Sequence, residues 1–370
     1  MSSDELIFVI VVGLRLGIPL LILRYPLPAI LAALVIDAAD QTIFQNNTDL
    51  DLTGYQGYDK ALDVYYLAIA YLSTMRNWAD PFAARVAQVL WYYRLVGVVA
   101  FELTHVRALL LIFPNTFEYF FIAYEAVRVA WDPGRLRPKV VIGMAAFIWV
   151  FIKLPQEWWI HIAQLDFTDF MKEDVLGVTP DSSWGDAFAE SPWFLPALGV
   201  VLVAVAFGVY RVLRAAPPTD WPPSVDVDRH PQSTRAGVSP APVRVVEWDL
   251  LEKCLLLSLV AIIFAQVIPN TDATPLQLTF TVSLIVVANA AVSTALTRRG
   301  HSWRSTATQF AGTVAINAVL VVVYFTFFRR ADVDEGAAVF FLLLLTLLTT
   351  LYDRYRPLRA AAYPPVHAMA

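Results

Sequence analysis

Residues 140–161 read VVIGMAAFIWVFIKLPQEWWIH. The run up to Ile152 is apolar, and a bilayer core of about 30 Å takes roughly 20 residues of helix. The remainder then sets a lysine, a glutamine, a glutamate and a histidine inside the same crossing. Lys153, Glu157 and His161 step by four, with Gln156 alongside, so a helix carries them on one face. Pro155 stands among them without an N–H for the carbonyl of Phe151, which predicts a kink or an opening at that point.

The apolar character extends outward over the whole chain. It has 370 residues, 58% hydrophobic and 16% charged, with a mean hydropathy of +0.57. A soluble domain carries about a quarter charged residues. The expected fold class is therefore all-α, a polytopic integral membrane helix bundle. Runs of span length fall at about 5–23, 27–44, 61–77, 84–103, 108–127, 139–162, 193–213, 246–268, 276–296, 306–328 and 337–352, which predicts eleven transmembrane helices. The first run follows an acidic Met-Ser-Ser-Asp-Glu and contains Arg15, so it reads as a retained helix and not a signal peptide.

Arginine placement orients the spans, because short cytoplasmic loops are rich in Lys and Arg. Alternating back from Arg354, Arg356 and Arg359 puts Arg298, Arg299, Arg304, Arg211, Arg214, Arg128, Arg135, Arg137, Arg76, Arg85 and Arg24 inside. The N-terminus then lies outside, together with 163–192, a segment of seven acids and one lysine. Arg329 and Arg330 are the exception. Residues 215–245 carry Pro217, Pro218, Pro222, Pro223, Pro231, Pro240 and Pro242 and read as a disordered or extended cytoplasmic linker. The chain thus divides into an N-terminal membrane bundle of about seven helices (1–214), the linker, a four-helix membrane module (246–352) and a disordered cytoplasmic tail (353–370).

A net charge of −5 without a basic cluster argues against nucleic acid. The single cysteine, Cys254, excludes an internal disulfide and any CxxC metal site. No motif names a cofactor. The expected surroundings are membrane lipids, in the plasma membrane of what the Ala-, Val- and Arg-rich usage suggests is a bacterium.

Ionisable side chains within a bilayer are rare, and by default they mark a site or pair with one another. Span 2 carries Asp37, Asp40 and Gln41 at i, i+3 and i+4, and span 5 carries Asn115 and Glu118. Span 3 begins with Asp59, Asp63 and Tyr66 on one face, span 4 holds Arg94, and Arg15 stands alone in span 1. With the predicted orientation the acids fall in the outer half, above Arg15, Arg94 and Lys153, as an outward-facing polar cavity with a cationic floor. The plainer alternative is a set of interhelical pairs, such as Lys153 with Glu118 or Arg94 with Asp37. Glu157-x-x-x-His161 could hold two metal ligands, but His105, His230, His301 and His367 lie elsewhere, so no metal is expected.

Three functions fit this pattern. In the first, an enzyme acts on a membrane lipid or isoprenoid: Glu157, with Asp37, Asp40 and His161, gives or takes a proton, while Lys153, Arg94, Gln156, Glu118, Asn115 and Gln41 hold the substrate. In the second, the polar residues form the relay of a proton- or cation-coupled transporter. The third is a structural subunit that docks a membrane-protein partner through 246–352. No internal repeat is legible, and polarity gathered on one side of the membrane weighs against transport.

Overall fold

A computed structural model describes residues 3–48, 55–229, 248–265 and 335–362, with short helical pieces between 276 and 287 and at 311–315. Among these residues all regular structure is helical, with no strand. The longer helices are α1 (Ser3–Leu21), α2 (Pro26–Asn47), α3 (Tyr55–Asn77), α4 (Pro81–Thr104), α5 (Thr116–Arg128), α6 (Pro138–Ile162), α7 (Phe194–Ala215), α8 (Trp248–Ala265) and α9 (Glu335–Ala362). Local chemistry sets their ends. Asp80 accepts the Phe82 N–H ahead of Pro81 at the start of α4, and His105 closes that helix in the left-handed conformation at φ 56°.

Helix α3 is the axis of the bundle. From Ala61 to Met75 every residue except Asp63 is buried, and α1, α2, α4, α8 and α9 all pack against it. A helix apolar on nearly all sides is stable only when enclosed in this way. One apolar core runs through α1–α6 and takes in Leu256, Val260 and Phe264 of α8 with Leu344, Leu348 and Tyr352 of α9. The segment offered by sequence as a partner-docking module thus uses α8 and α9 to cover α3 and α4.

Among the described residues three helices are long and apolar enough to cross a membrane: α4, α6 and α7. That is fewer than the eleven expected. The charges of α1, α2 and α3 face one another inside the bundle and lower the hydropathy of those helices, while the runs 276–296 and 306–328 lie largely outside the described residues. The run 108–127 is not one continuous helix. A short helix, Ala108–Ile112, ends at Phe113, Pro114 supplies no N–H, and α5 starts afresh at Thr116. Gly97 of α4 permits the hook, since a Cβ there would overlap the Phe113 side chain.

On α6 the lipid-type residues face outward, with Phe147, Phe151 and Trp158 exposed, while Lys153 and Glu157 point into the bundle. Side chains along the whole of α7 are exposed, among them Val200, Val203 and Phe207. Apolar exposure on this scale suits a lipid surround.

At the C-terminus α9 continues past 352, where a disordered tail was expected, as far as Ala362. Asp353 meets Lys253 at 2.6 Å, and Tyr355 is buried against the core. Of the Pro-rich segment, 216–229 is largely extended, ends in a 3-10 turn at Val227–Arg229 and is hydrogen-bonded to the ends of α1 and α5, and 230–247 lies outside the described residues.

Candidate functional site

The polar side chains of six helices meet toward one end of the bundle, the end at which α1, α3 and α5 begin. Their hub is Arg15. Its guanidinium contacts Asp37 and Asp40 of α2 and Asp59 and Asp63 of α3, the last at 2.8 Å. It does not stand alone, as its place in the sequence implied, because a helical side chain leans toward the N-terminus of its helix and α1 is antiparallel to α2. Arg15 and Asp40 are buried, whereas Asp59 and Asp63 have side chains more than a third exposed. Carboxylate oxygens of Asp37, Asp59 and Asp63 lie within 4.8 Å of one another.

One turn beyond Asp63, the Tyr66 hydroxyl donates to Glu118 of α5. Asp63 and Tyr66 stand three residues apart on one face of α3, so the aspartate cluster and the Glu118 group are neighbours. The second oxygen of Glu118 accepts from Asn115 Nδ2 at 2.9 Å and lies 3.6 Å from Lys153 Nζ. Lys153 also sits over the Tyr119 ring at 3.8 Å.

Glu157, one turn further along α6, is held at both oxygens. Oε2 lies 3.1 Å from His161 Nε2, and Oε1 accepts the backbone N–H of Asn115 at 3.1 Å with Arg94 Nη1 4.0 Å away. Arg94 therefore faces Glu157 and not Asp37, and it also donates to the Phe113 carbonyl at 3.1 Å. Gln156 lies beside this group with a buried Oε1 that has no protein partner. Gln41 follows Asp40 on α2, and its side chain lies outside what is described.

Two π-helical turns, Ile148–Lys153 and Trp158–Ile162, set this geometry on either side of Pro155. Proline removes the N–H that would bond Phe151, and the helix answers by widening: Ala163 N–H bonds the Trp158 carbonyl across five residues. The distortion expected from the sequence is thus a pair of bulges, which bring Lys153 and Glu157 inward together.

A second polar region, not assigned to the site from sequence, lies toward the opposite end. Glu252 of α8 accepts from Tyr71 at 2.6 Å and from Gln88 at 2.8 Å, and Arg356 of α9 lies 3.4 Å from it. Glu125 accepts from Trp78 Nε1 at 2.7 Å and pairs with Arg128 at 3.0 Å. Glu252 lies near the start of its helix, and only packing against α3 and α4 shows it reaching the bundle. Between the two regions lies an aromatic layer of Tyr71, Trp91, Phe117, Trp78, Phe121 and Tyr124, with Trp91–Phe117 at 5.5 Å and Trp78–Tyr124 at 3.9 Å. At 1.5 Å per residue, about 7.5 Å of α3 separates Tyr66 from Tyr71.

No family of known proteins, no curated protein and no solved structure matches this chain.

Proposed function

We propose that the protein is a multi-pass membrane carrier that couples a proton or small cation to the movement of a solute, with the Arg15 cluster and the Tyr66–Glu118–Lys153–Glu157–His161 chain as its coupling site. One observation carries this reading. Among the described residues four carboxylates surround a single guanidinium, so at full ionisation Arg15 balances one of their four charges. Burying such an excess is costly, and sharing protons or taking up a cation relieves it. Asp59 and Asp63, being partly exposed, are the way in.

Two further features support transport over chemistry on a lipid. Glu252 and Glu125 place polar groups beyond the aromatic layer, so the bundle offers polar ground on both sides, as a carrier with alternating access requires. An enzyme using Glu157 as its acid or base needs an oxygen of that carboxylate turned toward substrate, and both are engaged within the protein. The topology belongs to the same proposal: eleven spans, N-terminus outside and C-terminus cytoplasmic, in a bacterial plasma membrane. Antiparallel packing supports it by gathering Arg24, Arg76 and Arg128 at the end of the bundle opposite the aspartates, where the enrichment of cytoplasmic loops in Arg would place them.

The test is a pH jump applied to proteoliposomes on a solid support, with the charge displacement recorded, since a coupling site binds protons even without its solute. The parent protein is expected to give a transient that Asp37→Asn with Asp63→Asn removes. A parent silent to both pH and sodium jumps would refute the reading.

A further inference from the structure

The extended segment 216–229 lies across the end of the bundle opposite the aspartate cluster. Its prolines at 217, 218, 222 and 223 have no N–H, and the donors left between them act as rungs. Asp220 N–H bonds the Ala130 carbonyl at 2.9 Å, Ser224 N–H bonds Val129 at 2.9 Å, and Val227 N–H bonds Arg24 at 3.1 Å. Indoles secure both sides: Trp131 donates to the Pro217 carbonyl at 3.0 Å and Trp221 to the Arg128 carbonyl at 3.2 Å. Ser224, Val225 and Val227 roof a small cavity whose floor is Pro26, Leu27, Val129 and the Glu125–Arg128 pair. Arg128 is buried there, with Nη2 lacking any hydrogen-bond partner.

Charge adds to these bonds in one consistent sense. Every acid of the segment meets an arginine from a turn of the bundle. Asp220 faces Arg135 and accepts the Asp132 N–H at 2.7 Å. Asp226 pairs with Arg24 at 2.9 Å, with Arg229 at 3.8 Å on its other side. Asp228 pairs with Arg76 and lies 3.7 Å from Arg24, and among the described residues Tyr355 and Arg354 of α9 also lie on that side. Arg24 and Arg135 are exposed and Arg76 is half-buried, while Asp226 and Asp220 are largely covered. Pairs of this kind are individually weak and salt-sensitive, which suits a contact made to open and close better than a permanent brace.

We infer that 216–229 is an electrostatic latch, closed over the Glu125–Arg128 end of the bundle by three aspartate–arginine contacts and a few backbone bonds, whose release opens that end. As the inner gate of the carrier it rests on the function proposed above. As a latch it is testable alone. In a Cys254→Ser background, Ala130→Cys places a thiol beneath the segment, and its labelling by a maleimide is followed in detergent. Protection is expected in the closed protein, with labelling at least tenfold faster after Asp220→Asn, Asp226→Asn and Asp228→Asn together, and faster also in 0.5 M salt.

Local unfolding could give the same acceleration, so the exchanged pair Arg24→Asp with Asp226→Arg is the control: a latch regains protection relative to either single change. Equal labelling in parent and triple variant, or no recovery in the exchanged pair, overturns the inference. Proton transients on the same variants report separately. A latch that opens on cue in a protein without transients removes the carrier reading and leaves the latch standing.

Discussion

The imbalance around Arg15 makes a prediction whose sign is unusual for a buried ion pair. Among the described residues, removing the arginine raises the net negative charge of this group from three to four, whereas removing one aspartate lowers it from three to two. Breaking a buried pair from one side costs about 3–5 kcal/mol. That figure applies in full only to Asp40, whose side chain is 2% exposed; Asp37, Asp59 and Asp63 are 26–38% exposed and keep part of their hydration. Contacts of such exposed groups contribute about 0–1 kcal/mol each.

Arg15→Met is therefore expected to destabilise the protein by about 3–5 kcal/mol. Asp59→Asn is expected to cost under about 1 kcal/mol or to stabilise, and Asp40→Asn falls between them. Combining Arg15→Met with Asp40→Asn returns about 1–3 kcal/mol of the loss, because it removes the carboxylate left stranded. The assay is unfolding in detergent by denaturant titration, read from tryptophan fluorescence, with all variants in one micelle system. An Arg15→Met protein as stable as the parent, or an Asp40→Asn protein less stable than Arg15→Met, would refute the charge accounting.

Other consequences are simpler to state. Lys153→Met strands the buried Glu118 and is expected to cost about 2–4 kcal/mol, largely recovered by adding Glu118→Gln; the same titration measures both. Gly97→Val drives a side chain into Phe113 and lifts the hook that gives the Asn115 N–H to Glu157, at about 1–3 kcal/mol, visible as a lowered unfolding midpoint. Arg24 holds the Asp226 carboxyl below its ordinary range through a direct hydrogen bond. Its contribution to the latch is thus complete above the unfolded value of about 3.9 and is lost as pH falls through the lower folded value. Limited proteolysis by pepsin is expected to cut 216–229 progressively faster below about pH 4, and an otherwise folded protein whose susceptibility instead changes between pH 5 and 8 would show another group in control.

The stripe on α6 was legible in sequence because its members are neighbours along the chain: a spacing of four and one proline suffice to predict a shared face and a distorted helix. The form of the distortion was not, since a kink and a π bulge begin from the same missing N–H, and packing against α5 and the 108–115 hook selects between them. Arg15 shows the opposite limit. Its partners lie 22 to 48 residues away, so nothing near it in the chain reports them, and isolation in sequence was read as isolation in space. Span counting by hydropathy meets a related limit. Hydropathy treats every aspartate of α2 and α3 as facing lipid, but four of them face one arginine, so helices that belong to the bundle fall below the level expected of a crossing.

The arginines at the opposite end carry the same lesson into function. In the proposed topology, enrichment of cytoplasmic loops in Arg would account for Arg24, Arg76 and Arg135 without giving them partners. It leaves unasked why Asp220, Asp226 and Asp228, distant in sequence and set in a proline-rich stretch, each meet one of them. Orientation needs the arginines alone. A matched set of acids adds nothing to insertion, but it does fix where 216–229 lies, across the end of the bundle that the aspartate cluster does not reach. The two ends differ accordingly. At one, charge in excess of its partners is held inside the protein, where it can change by taking up a proton; at the other, opposite charges meet in matched pairs at the surface, where they can separate.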